Sequence, residues 1–291
     1  MMWRRPILLG PKMLRILTIL FVAAISRQMT SVYAETTVAD SNVTLVSSDF
    51  QLADGAGWNG SSTLFVPDVK GKRLLAFNLR KPNEAPEVRH AGAAISGCCY
   101  QLGRLYISDN GNSRIAVLEN NGKPKTIAQL DPKNRPNDLV VDAHGNVYIT
   151  ITREGVVRRI KPSSEGEQGR AEVVVENLTT PNGITLSPDG STLYVSSAKT
   201  GLVSKITIDE SLETWPVEDF AQLEETENAF RGDGMCADRA GNVYVTGAEA
   251  VQVFNPAGKL IDRIKTPERP INAIIGGTDA RTLYILSLIH I

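Results

Sequence analysis

Six side chains that carry oxygen, Asp54, Ser96, Asn137, Asn182, Asp233 and Asn272, each stand ten to twelve residues ahead of an aromatic residue that follows a Leu or Val. None of the six is basic, and two are carboxylates. A hard divalent cation such as calcium takes several oxygen ligands, carboxylates balancing its charge and neutral amides completing the shell. The set therefore suits Ca2+, or another divalent ion such as Zn2+, Mn2+ or Mg2+. Softer ions recruit His or Cys, yet ahead of its last two residues the chain has only His90 and His144. His144 falls in a turn, and Cys98, Cys99 and Cys236 read as small core residues. Asp68 and Asp109 fall in strand-connecting turns. Asp, Asn and Ser ahead of Gly also serve as turn residues, because their side chains bond nearby backbone. That plainer reading of the six positions stands open beside the ligand reading.

The elements that must position these residues repeat. The pairs Leu64-Phe65, Leu105-Tyr106, Val147-Tyr148, Leu193-Tyr194, Val243-Tyr244 and Leu283-Tyr284 recur at roughly 40 to 50 residues, the period of propeller blades. Most are preceded by turns rich in Gly, Asn or Asp, such as Asp142-Ala143-His144-Gly145-Asn146 and Ser187-Pro188-Asp189-Gly190, which suit hairpins. Residues 180–208 read as three alternating strands joined by tight turns, a meander that needs neighbours like itself. The expectation is an all-β, six-bladed propeller over residues 47–285, with the innermost strands lining a central channel. One oxygen-bearing side chain per blade then forms a ring about the axis. Segment 213–231 is long enough to form a lid over one channel mouth.

The ends carry other signals. Residues 1–34 read as an export signal: Arg4, Arg5, Lys12 and Arg15 precede a short apolar run, and Val32-Tyr33-Ala34 offers small residues for cleavage. The mature protein is expected in the periplasm or outside the cell, with residues 35–46 as an N-terminal segment. Residues 286–291 read as translated sequencing-adapter DNA, so the last blade is expected to be incomplete through truncation, with residues 43–47 available to pair with it. A formal net charge of −1 favours neither nucleic acid nor an anionic membrane as partner.

Arg135-Pro136-Asn137-Asp138, Pro181-Asn182-Gly183 and Asp233-Gly234-Met235, in this order at blade spacing, resemble the motifs of the gluconolactonase, senescence marker protein (regucalcin) and luciferin-regenerating enzyme family. The resemblance implies a six-bladed propeller and a divalent cation, usually calcium. Its metal ligands carry over as Asn182 and Asp233, and Arg135 and Asn137 fall near substrate and metal. The third ligand of the family is a Glu in Glu-Gly-Pro; this chain reads Asp54-Gly55-Ala56, one methylene shorter. The implied activity is metal-dependent hydrolysis of a small lactone, the cation polarising the carbonyl and activating water, with Asp233 as catalytic residue; phosphotriesters or other esters are a further substrate class for the same site. No Gly-x-Ser-x-Gly elbow supports a serine esterase instead. Arg135 has a structural alternative, an ion pair with Asp138 or a neighbour. The alternative function is a non-catalytic propeller that binds a small ligand or a protein partner.

Overall fold

Strands such as Val147–Ile151 and Thr192–Ser197 are buried along their whole length, which requires packing on both faces of the sheet. A computed structural model shows how that is met. It describes residues 45–164, 167–224, 232–277 and 280–288, together with the backbone of residues 15–19. Among the described residues there are five four-stranded antiparallel sheets, each a meander in chain order, arranged as propeller blades. They run from Gly57–Trp58 to Glu87–Ala91, from Ile95–Gln101 to Pro124–Gln129, from Leu139–Val141 to Ala171–Val175, from Pro181–Leu186 to Val217–Gln222, and from Met235–Ala237 to Leu260–Lys265. A sixth, shorter sheet pairs Pro270–Gly276 with Thr282–Ser287. The one helical element among the described residues is a 3-10 turn at Asn110–Asn112.

The first strands of successive sheets pack on one another, and that of the sixth packs on that of the first, so the inner strands close a ring. Burial falls from the inside outward: second strands are nearly all buried, whereas fourth strands such as Val217–Gln222 are largely exposed. The recurring aromatic does one job throughout. Phe65, Tyr106, Tyr148, Tyr194, Tyr244 and Tyr284 sit on second strands and belong to clusters that fill the seam to the next sheet. Burying such a side chain contributes about 1.5–3 kcal/mol, so the repeat that is visible in sequence is a repeat of seams.

Three expectations need adjustment. The strand beside Thr282–Ser287 is Arg15–Ile19, running parallel to it, not residues 43–47; the rest of the segment read as an export signal, and residues 35–44, lie outside the described residues. Strand Thr282–Ser287 continues through Leu286 and Ser287, both fully buried, past the boundary drawn at 285; residues 289–291 lie outside the described residues. Segment 213–231 is not a single lid, because Trp215 is buried in a seam and Val217–Gln222 is an outer strand; residues 225–231 are outside the described set.

A candidate metal and substrate site in the channel

Ring positions in the second, fourth and sixth sheets coincide with register irregularities, between Ile95 and Gly97, Pro181 and Ile184, and Pro270 and Asn272. A bulge re-aims the side chains around it, so the ring is built where the ladder gives way. The residue after each ring position lies where inner strands come closest. A Cβ on Gly183 would meet the Asp233 carbonyl oxygen and come within 2.8 Å of Gly234 Cα; one on Gly97 would sit 2.7 Å from Asp138 Oδ1. These glycines are packing requirements, a role neither reading of the dipeptides anticipated. The third and sixth sheets depart from the pattern and carry Asp138 and Ala273 there, Asp138 filling the space beside Gly97.

A second set of residues anchors the ring, and it lies two positions beyond the aromatic. Thr150 Oγ1 accepts from the Asp138 N–H at 3.2 Å and donates to the Asn182 carbonyl at 2.6 Å. Ser196 Oγ accepts from the Gly183 N–H at 3.0 Å and donates to the Asp233 carbonyl at 2.8 Å. Thr246 Oγ1 donates to the Gly234 carbonyl, and Ser108 Oγ meets Ser96 Oγ. All four are buried. Thr150 and Ser196 satisfy backbone that the inner strands cannot pair and tie one blade's second strand to the next blade's ring residue, whereas Thr246 and Ser108 bond within their own blade. Their signal in the sequence is the Ser or Thr after Tyr-Ile, Tyr-Val and their like, a register the sequence analysis did not use.

The side chains of the ring fall into two groups. Asn137 Nδ2 donates to Thr152 Oγ1 at 3.0 Å and to Asn182 Oδ1 at 2.9 Å, and Asn182 in turn bonds Asp233. Asp54 faces this run closely enough that Asp54 and Asp233 repel. Ser96 and Asn272 are instead spent on structure: Ser96 Oγ lies 2.6 Å from the Asn137 carbonyl, and Asn272 Oδ1 accepts from the Ala56 N–H at 3.3 Å, joining the sixth sheet to the first. Asp68 and Asp109 cap strand ends, each bonded to nearby N–H groups and to Arg73 or Arg114. Arg135 is exposed and makes no ion pair with Asp138. His144 is an exposed turn residue, as expected.

Two charged residues complete the site without having been foreseen in that role. Asp138 is buried, and burial pushes its carboxyl up to about 7 although the Leu139 and Ile184 N–H groups pull it down. Burial raises Asp54 well above the usual carboxylate range, with further contributions from Asp233 and Asp138. Asp233 keeps 18% of its side chain accessible. It is still pushed up to about 7 by burial, while Arg269, 3.8 Å away, and Asn182 counter the rise and Asp138 adds to it. Beyond Asp138 the channel opens into a cavity of about 230 Å³ lined by all six inner strands, including Cys98, Cys99 and Cys236. Burial drives Cys99 and Cys236 up to about 12, so they are inert thiols.

Among the described residues no three His, Cys, Asp or Glu side chains group tightly enough to hold a metal by themselves. The oxygen set of Asp54, Asn182 and Asp233 nevertheless fits a hard divalent cation: it offers an amide oxygen with two carboxylates whose mutual repulsion such a charge would relieve.

Residues 52–289 match the family model described as the SMP-30/Gluconolactonase/LRE-like region. A gluconolactonase from Zymomonas mobilis is 25% identical, the match covering 84% of this chain and 78% of that protein. A solved structure of a Xanthomonas campestris gluconolactonase superposes with a TM-score of 0.67 at 22% identity, over 82% of this chain and 84% of the other. A calcium-binding protein, regucalcin, from Agrobacterium tumefaciens gives a TM-score of 0.65 at 18% identity, over 79% of this chain and 80% of the other. On the strength of the family-model match, which spans the five blades and the sixth sheet, this chain belongs to the SMP-30/gluconolactonase/LRE-like family.

Proposed function

We propose that the protein is a metal-dependent lactone hydrolase working at the channel mouth formed by Asp54, Asn137, Asn182 and Asp233. The observation that carries this reading is the hydrogen-bonded run from Thr152 through Asn137 and Asn182 to Asp233, facing Asp54. It gathers oxygen donors with two carboxylates in one place, on a fold shared with relatives named for lactone hydrolysis. A divalent cation, calcium by the hardness of the donors and by the calcium-binding neighbour, would be held by Asp54, Asn182 and Asp233 and would polarise the lactone carbonyl.

The chain's own residues do the rest. Asn137 holds the Asn182 amide so that its orientation is fixed, and because both Nδ2 hydrogens are used, Asn137 offers substrate only an acceptor. Arg135, exposed and unpaired, supplies donors to substrate hydroxyl or carbonyl oxygen. Asp233 takes a proton from the attacking water as it adds to the carbonyl carbon, and returns it to the ring oxygen as the ring C–O bond breaks. The product is the open hydroxy acid.

A second reading rests on Asp54: where the family carries glutamate, a carboxylate shorter by about 1.5 Å suits a propeller that binds a ligand or protein partner without turnover. Hydrolysis of a panel of aldonolactones, with calcium and with chelator, decides between them. Metal-dependent turnover that Asp233→Asn abolishes is the expected result. Calcium binding without turnover of any lactone would transfer the case to the binding module. We also read the six sheets as blades of one propeller, and residues 1–34 as a leader that exports it to the periplasm or beyond. N-terminal sequencing of the exported protein should then begin at Glu35.

A further inference from the structure

The seams between blades are alike enough to be compared position by position, and two neighbouring ones differ in what fills them. In the third-to-fourth seam the loop two residues before strand Val217–Gln222 reaches back to the preceding blade: the Trp215 N–H donates to the Val174 carbonyl at 2.7 Å. The Trp215 side chain is buried in the seam, its ring 5.8 Å from that of Tyr148, with the Arg159 guanidinium 5.3 Å above it. In the second-to-third seam the same bond is made two residues before Ala171–Val175, from the Gly169 N–H to the Ile127 carbonyl, also at 2.7 Å. Ile127 and Val174 are each the fourth residue of their strand. Gly169 is thus the counterpart of Trp215 without a side chain.

Ile160 packs against Gly169, and between the second and third blades there lies a cleft of about 640 Å³, within the usual range for small-ligand pockets. Its floor is Tyr106, the counterpart of Tyr148, and its walls are Val117, Ile127, Val147 and Ile160. Two other anchors have ring partners, Phe65 stacking with Tyr100 and Tyr194 packing on Phe220. Tyr106 makes no ring contact among the described residues. Its hydroxyl is also left over. Tyr148 and Tyr244 donate to Asp142 and Asp238 in their five-residue hairpin turns, whereas the second blade turns tightly at Leu102 and Gly103, both at positive φ, and no aspartate stands opposite. Tyr106 is 5% exposed and lines the cleft with no bond to its hydroxyl. On the rim, Lys161 is engaged by Glu210 and Glu119 by Asn121. Among the described residues Arg104 and Lys125 carry no ion pair and share the cleft with two acids, Glu119 and Glu167.

We propose that this cleft is a second binding site, separate from the channel, for a planar aromatic carboxylate. The ring takes the place that the indole of Trp215 fills one seam further on, against the face of Tyr106. The carboxylate accepts from the Tyr106 hydroxyl and lies toward Arg104 and Lys125.

The test is titration of the full protein with indole-3-carboxylate and 2-naphthoate, and with neutral indole as a control, followed by calorimetry and ligand-observed NMR. Saturable one-to-one binding of the two acids, at least about fivefold tighter than indole, is expected. Tyr106→Phe should weaken it by about three- to tenfold, the loss of one hydrogen bond. Two variants fill the cleft by different routes, Gly169→Trp, for which Ile160 must give way, and Val117→Trp across the strand pair from Tyr106. Whichever folds, by circular dichroism, should abolish binding while calcium binding in the channel is unchanged. Absence of binding at about 10 mM acid, equal affinity for indole, or binding that survives a folded filled variant would each overturn the assignment.

Discussion

Asp233 is held from several sides: Asn182 bonds it, Arg269 lies 3.8 Å from it, and Asp54 and Asp138 repel its charge. Such a carboxylate is stable as an anion only when positive charge comes close, which is what a cation ligand needs. Asp54 is the weak member, since its carboxylate is withdrawn by one methylene relative to the family's glutamate. Asp54→Glu should therefore tighten calcium binding by about tenfold, or about 1.4 kcal/mol, measured by calorimetry; weaker binding would mean that the backbone already compensates. Asp138 allows a second prediction. Its carboxyl is raised to about 7 in the folded protein from an ordinary 3.8. Between about pH 4 and 7 the folded state keeps a proton that the unfolded state has released, so this group stabilises the fold at low pH and the contribution is lost as pH rises. Metal-free protein should melt at lower temperature as pH rises through that window. Asp138→Asn should flatten the slope, which thermal melts across the range will show.

At the scale of elements, the buried hydroxyls explain why the second strands matter to the site although they never line it. Ser196 serves the Gly183 N–H and the Asp233 carbonyl at once. Removing it leaves two backbone groups without partners at the closest approach of two blades. Ser196→Ala should cost about 2–3 kcal/mol, a melting-temperature fall of several degrees at about 2–4 °C per kcal/mol. It should also weaken calcium binding, because the Asn182 and Asp233 backbones lose their common tie. Ser191→Ala, on an exposed turn, is the control and should change melting little. The recurrence of Ser or Thr two residues beyond Tyr was legible in the sequence, but alternation alone does not say that these side chains turn toward the neighbouring blade's backbone.

For the whole molecule, the ring closes through its inner strands, with Asn272 bonding Ala56 across the last seam. The sixth sheet has only Pro270–Gly276 and Thr282–Ser287 antiparallel, and Arg15–Ile19 covers its outer edge in parallel. A strand edge left uncovered is a template for association. A chain beginning at Glu35 lacks that cover, so it should self-associate as concentration rises, seen as a growing apparent mass in size-exclusion chromatography with light scattering. A monodisperse monomer would show that the edge is protected in another way.

The sequence by itself determined the spacing of the blades, the aromatic at each seam, the oxygen-bearing position that enters each inner strand, and the family. These follow from period and residue type, which fix local backbone and burial along the chain. Only the tertiary structure decided which of the six oxygens serve the channel and which are spent, since Ser96 and Asn272 differ from Asn137 and Asn182 in what strands some forty residues or more away bring beside them. It also decided that Asp138 and Arg269 join the site, and that a cleft remains in the seam beside the one that Trp215 fills. A side chain's role there depends on register across blades, and register between distant strands is set by packing in three dimensions rather than by any local pattern.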